Sequence, residues 1–91
     1  MNIPEITSID KALQIFYRNP EIGTKEMEQL FTKKSKSTIN RLKRIARNQM
    51  LEDDVYTQGM YKLNTASAYK AWRIDVKDLE LRRNKLLELG L

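Results

Sequence analysis

The sequence predicts a mainly α-helical chain with one small β-hairpin and a long C-terminal helix. Apolar residues recur at three- and four-residue spacing in four separate stretches. Only Val55–Leu63 gathers strand-favouring residues around a glycine. With three Gly and two Pro in 91 residues, each break marks a boundary.

The first helix is expected from about Ser8 to Asn19. Thr7 or Ser8 supplies the cap, Asp10 sits in the first turn, and Ile9, Ala12, Leu13, Phe16 and Tyr17 form its apolar face. Asn19-Pro20 ends it, because the residue before proline is pushed out of the helical region. A second helix runs from about Thr24, its expected N-cap after Gly23, to Phe31, with Met27, Leu30 and Phe31 turned inward. Thr32-Lys33-Lys34 allows only a tight connection.

The third helix starts at the cap Ser35 and is expected to end near Arg47 or Asn48. At 100° per residue, Ile39, Leu42, Ile45 and Ala46 share one side. Ser37, Asn40, Arg41, Arg44 and Arg47 lie opposite, flanked by Lys36 and Lys43. Val55–Leu63 follows as the hairpin, its Thr57-Gln58-Gly59 loop using glycine for a positive φ. The last helix is expected from about Ala66 or Ser67, capped by Thr65 or Ser67, to Leu89, about 35 Å in length. Tyr69, Trp72, Val76, Leu79, Arg83 and Leu86 alternate three- and four-residue steps along it, an a/d seam with one polar break. Ile74 and Leu81 lie on another face, so one helix can meet its own domain and a second chain at once. The expected division is residues 1–64 as one domain and 65–91 as a dimerisation helix packed on it.

Charge is unevenly spread. The chain carries a net +5, yet residues 31–50 hold seven cations and no acid, whereas residues 1–30 and 51–64 are each net −2. Such a local field suits a polyanion, since Lys and Arg release counterions from a nucleic-acid backbone. There is no Cys and no His. That removes disulfides, thiolate zinc sites, cysteine nucleophiles and the Ser-His relay. No glycine-rich phosphate loop or paired-carboxylate layout is present, so no enzyme, cofactor or metal is expected. Glu52-Asp53-Asp54 reads as a solvated turn rather than a Mg²⁺ site. No apolar run exceeds three residues, and Met1–Glu5 has neither the basic nor the apolar region of a leader. A soluble, cytoplasmic binding protein without membrane contact is expected.

Two helices joined by a short turn, the second strongly basic and followed by a hairpin, form a specific order. At this point Ile22–Phe31 through Ser35–Ile45, with Met50-Leu51 and Tyr61-Lys62-Leu63, resembles the winged helix-turn-helix DNA-binding domains of bacterial regulators, MarR-like in the broad sense. The likeness spans about residues 8–64. Glu28 stands where such domains usually have a small residue. The resemblance implies a recognition helix in the major groove, a wing, and a homodimer regulating transcription in a bacterium or phage.

The residues of the third helix give the same chemistry independently. Arg bridges the two acceptors of guanine and Asn pairs with adenine, so Ser37, Asn40, Arg41 and Arg44 are the expected base contacts. Lys33, Lys34, Ser35, Lys36, Thr38, Lys43 and Arg47 are the expected phosphate contacts. Thr57, Gln58, Gly59 and Lys62 form the expected wing, and Tyr69, Trp72, Val76, Leu79, Arg83 and Leu86 the expected dimer interface. The expected partners are double-stranded DNA and a second copy. A protein-assembly module on the same frame and an RNA binder are the alternatives. The RNA reading is disfavoured because the A-form major groove is too narrow for side chains to read.

Overall fold

The computed structural model describes residues 3–90. Met1 and Asn2, and Leu91 of the expected 65–91 unit, lie outside the described residues. The architecture is mainly helical with one two-stranded antiparallel sheet: α1 (Ile9–Arg18), β1 (Glu21–Ile22), α2 (Thr24–Leu30), α3 (Lys36–Asp53), β2 (Leu63–Asn64), α4 (Thr65–Ala71) and α5 (Val76–Glu88). Among the described residues no helix is long and apolar enough to cross a membrane.

The helix starts follow their caps. Ser8 Oγ accepts from the Lys11 N–H at 3.0 Å, and Ser35 Oγ from the Thr38 N–H at 3.2 Å. For α2 the cap is Gly23 rather than Thr24, and Glu26 reaches back to accept the Gly23 N–H at 2.7 Å.

The helix ends are less conventional. The third helix runs 18 residues, past Asn48, to a left-handed Asp54 at φ 55°. There the Val55 N–H donates to the Met50 carbonyl and the Asp54 N–H to that of Leu51. The predicted long C-terminal helix is two helices. Arg73 sits at φ 58°, the Ile74 N–H folds back to the Tyr69 carbonyl at 2.9 Å, and the Arg73 N–H bonds Lys70 at 3.2 Å. Both sites are Schellman stops, ordinarily built on glycine. Asp75 then caps α5 by accepting from the Asp78 N–H at 3.2 Å.

The sheet also departs from expectation. Val55–Leu63 does not pair with itself. Leu63 pairs with Ile22 and Asn64 with Glu21, so the strands lie about forty residues apart in sequence. Close by, Thr65 Oγ1 donates to the Asn19 carbonyl and the Thr65 N–H to that of Pro20, fastening the start of α4 to the end of α1. The segment before α1 is fastened too: Ile6 bridges Phe31, and the Thr32 N–H bonds Glu5 at 2.9 Å.

The core is built around α4. Tyr69 and Trp72 are 1% exposed, and Trp72 packs edge-on against Phe31 with ring centroids 5.2 Å apart. The indole N–H donates to the Leu42 carbonyl at 3.0 Å, and the Tyr69 hydroxyl to that of Ala12 at 2.7 Å. Burial holds the Tyr69 phenol above its ordinary 10.0. Two side chains thus tie α4 to α3 and α1. Met27, Leu30, Ile39, Leu42 and Ala46 bring α2 and α3 into the same cluster, whereas Glu28 is exposed, so its bulk does not separate α2 from α3.

Asp53, at the end of α3, accepts from Ser67 Oγ at 2.8 Å, from Lys70 Nζ at 3.0 Å and from Gln49 Nε2 at 3.0 Å. These bonds, that of Ser67 foremost, hold its carboxyl below the usual 3.8. A lowered native value stabilises the fold above the unfolded value, and the contribution disappears as pH falls through the native one. Wild type should therefore melt higher than Asp53→Asn at pH 7, with the gap closing below about pH 4, as thermal melts across a pH series would show. Trp72→Ala should lose about 3–5 kcal/mol in urea denaturation, because it opens a cavity and strands a carbonyl.

Candidate nucleic-acid interface

The side of α3 opposite Leu42 and Ala46 faces solvent. Ser37, Asn40, Arg44 and Arg47 are exposed along it in alternating three- and four-residue steps. The longer helix adds one more member, Leu51, 76% exposed. At about 27 Å, α3 is long enough to cross a major groove and continue beyond it. Lys33, Lys34, Ser35 and Lys36 are exposed at its N-terminal end. Among the described residues none of the seven cations from Lys33 to Arg47 pairs with a carboxylate, whereas Lys62, Lys70, Arg82 and Arg83 all do. The positive field of α3 is therefore not cancelled locally.

The expected contacts do not all share this face. Arg41 is half-buried and turns toward the N-terminal segment, lining a cleft of about 330 Å³ with Ile3, Pro4, Glu5, Thr32 and Lys33. Lys43 is half-buried on the other flank. Ser35 serves as a cap, and its hydroxyl also donates to Thr38 Oγ1 at 2.8 Å.

The wing expectation is corrected. Residues 54–62 form a fastened loop rather than a hairpin. The Gln58 and Gly59 N–H groups donate to the two Glu21 carboxylate oxygens at 2.7 and 3.2 Å. Thr57 Oγ1 donates to the Gly59 and Lys62 carbonyls, and Lys62 Nζ stands 3.6 Å from Glu26. These are the polar groups of the expected wing, and they hold the loop to β1 and α2. Gly59 does not need a positive φ. It is required by close approach, since a Cβ there would lie 2.5 Å from Lys62 Cγ. The loop's apolar residues Tyr56, Met60 and Tyr61 stand out in solvent. Sequence reasoning took them for strand residues, although three large apolar side chains within six residues signal a surface as readily as a strand. The acids Glu52-Asp53-Asp54 have separate roles: Asp53 ties α3 to α4, Asp54 makes the left-handed stop, and Glu52 is solvated.

The dimer seam is corrected as well. Tyr69, Trp72 and Leu79 are buried within the chain, and Val76 packs against the same core. Arg83 pairs with Asp10 at 3.1 Å. Of the seam's apolar residues Leu86, at 41% exposure, keeps the most surface, while Leu81, Leu87 and Leu89 outside it project further. Between α1 and α5 a cleft of about 490 Å³ is crossed by that ion pair and by a Tyr17–Glu80 hydrogen bond. No family model, curated protein or solved structure matches the chain.

Glu21 alone holds two loop amides from a distance of nearly forty residues. In Glu21→Ala, hydrogen exchange followed by NMR should speed up at Gln58 and Gly59 and stay unchanged at the buried amides of α4.

Proposed function

We propose that this chain binds double-stranded DNA sequence-specifically by laying the exposed face of α3 in the major groove. It acts in the cytoplasm of a bacterium or phage-infected cell as a small transcriptional regulator of the winged helix-turn-helix kind, not as an enzyme. The observation that carries this reading is the state of the cations on α3 and just before it: seven in residues 31–50, no acid among them, and no carboxylate partner among the described residues. A fold gains nothing in stability by gathering like charges in one segment, since they repel. A polyanionic partner turns that repulsion into binding energy.

Roles follow from reach. Arg44 and Asn40, near the middle of the exposed side, meet base edges, guanine and adenine respectively, with Ser37 beside them. Lys33, Lys34, Lys36 and Arg47 hold phosphates at the ends, and Arg41 and Lys43 reach backbone on the flanks. The fastened loop adds no cation of its own, because Lys62 is matched by Glu26. Self-association, expected of such a regulator, falls to the leucines of α5 that the core leaves exposed. The same leucines and the apolar loop favour the second reading, an assembly module without nucleic acid. Trp72, being buried, is not a probe of either interface.

Selection from a random duplex pool, followed by titration at several salt concentrations, tests the reading. The log–log salt slope should approach one unit per phosphate contact. Arg44→Ala should cost about 1–3 kcal/mol on the selected site and blur its preference, whereas Lys34→Ala should weaken all duplexes alike. An Arg44→Ala chain that binds the selected site as wild type does overturns the recognition role. Binding to a protein partner that ignores salt, with no duplex affinity, would establish the second reading.

A further inference from the structure

Two apolar surfaces remain in solvent, and they differ in kind. The first is the 51–61 segment. Its hydrogen-bonding groups turn inward onto Glu21 and onto its own carbonyls, while Leu51, Tyr56, Met60 and Tyr61 are between 76% and 82% exposed. This is the reverse of a solvated loop: Leu51 and Tyr56 line one cleft with Val55 and Met50, and exposed apolar surface of this sort marks a docking site. Its rim is acidic: among the described residues Glu52 and Asp54 enter no ion pair. The second surface lies along α5, where Lys77, Leu81, Lys85 and the cap residue Leu89 follow at four-residue intervals and share one side. Leu81 is 68% and Leu89 64% exposed, and neither lysine has a carboxylate partner among the described residues. The neighbouring Asp78 is held by Arg82 at 3.0 Å.

We propose that these two surfaces bind each other between copies of the chain. The loop of one molecule seats on the α5 strip of the next, apolar on apolar, with Glu52 and Asp54 against Lys77 and Lys85. Two further charges without an ion-pair partner among the described residues stand here, Arg47 beside the loop and Glu88 on the strip, again of opposite sign. Strip against strip would gather four lysines against two glutamates, and loop against loop four acids against two arginines; the crossed pairing leaves neither excess. Because each molecule then uses a different surface toward each neighbour, the contact is head-to-tail and continues from copy to copy until a ring closes or the chain runs on. The inference rests on the self-association part of the proposed function, not on its DNA part, and names the surface the α5 leucines meet.

Analytical ultracentrifugation of the full chain without DNA, over a concentration series at low salt, tests it. One variant combines Tyr56→Ser with Tyr61→Ser, and the other Leu81→Ser with Leu89→Ser. All four positions are exposed, and circular dichroism checks that helix content is kept. Wild type should gain mass with concentration, and each variant alone should associate roughly tenfold or more weakly. An equimolar mixture should form a one-to-one pair and stop there, because each variant keeps the surface its partner has lost. Should either serine variant lose helix, Glu52→Lys and Lys85→Glu take their place: each alone weakens association, and the two combined in one chain restore it. A loop variant that associates as wild type does overturns the crossed pairing while leaving association through α5 standing. A mixture in which the two variants fail to pair, or a wild type that is monomeric throughout, also overturns it.

Discussion

The fold depends on one short helix placed at its centre. α4 and its C-cap carry the two largest buried side chains, and each ends in a hydrogen bond to a different helix, Trp72 to Leu42 and Tyr69 to Ala12. A chain of this size has a thin core. Two aromatics that fill volume and also satisfy backbone carbonyls contribute more than aliphatics at the same positions. Because Trp72 claims the inner side of α3 through Leu42, the opposite side must face water. The cationic face of α3 is a consequence of where the indole lies.

The starts of α1 and α3 and the ends of α1 and α2 were legible, whereas the caps of α2 and α4 and the two left-handed stops were not. Ser8 and Ser35 announce helix starts because a side-chain oxygen there accepts the backbone N–H three residues on. The stops at Asp54 and Arg73 carry no comparable mark. A left-handed residue is anticipated as glycine, sometimes asparagine, and Arg73 has a full side chain in that conformation. Without a mark, the three- and four-residue pattern of Tyr69, Trp72, Val76 and Leu79 reads as one helix. The pattern was right about burial, since three of the four are buried outright. Periodicity says that a stripe is covered, not by what, and here the cover is the chain itself rather than a second copy.

Long-range pairing explains the other differences. The Val55–Leu63 segment has the composition of a hairpin, but Leu63 finds a partner in Ile22, and Glu21 takes the loop amides that a hairpin would use across its own strands. Nothing adjacent to Glu21 in sequence points to a loop so far downstream. The charge pattern of α3 was legible because it is local: cations counted within twenty residues stay together on any helix. The inward turn of Arg41 depends on Ile3 and Pro4, which only the folded chain brings near.

Trp72 is the chain's one tryptophan, and it lies directly beneath α3, bonded to the backbone of the helix that faces solvent on its other side. Its ultraviolet emission is shielded from quenchers in water and from any molecule resting on the outer surface. A change in that emission when something docks would mean that α3 itself had shifted against the interior, so the protein contains a built-in optical gauge of whether recognition is rigid or deforms the reader.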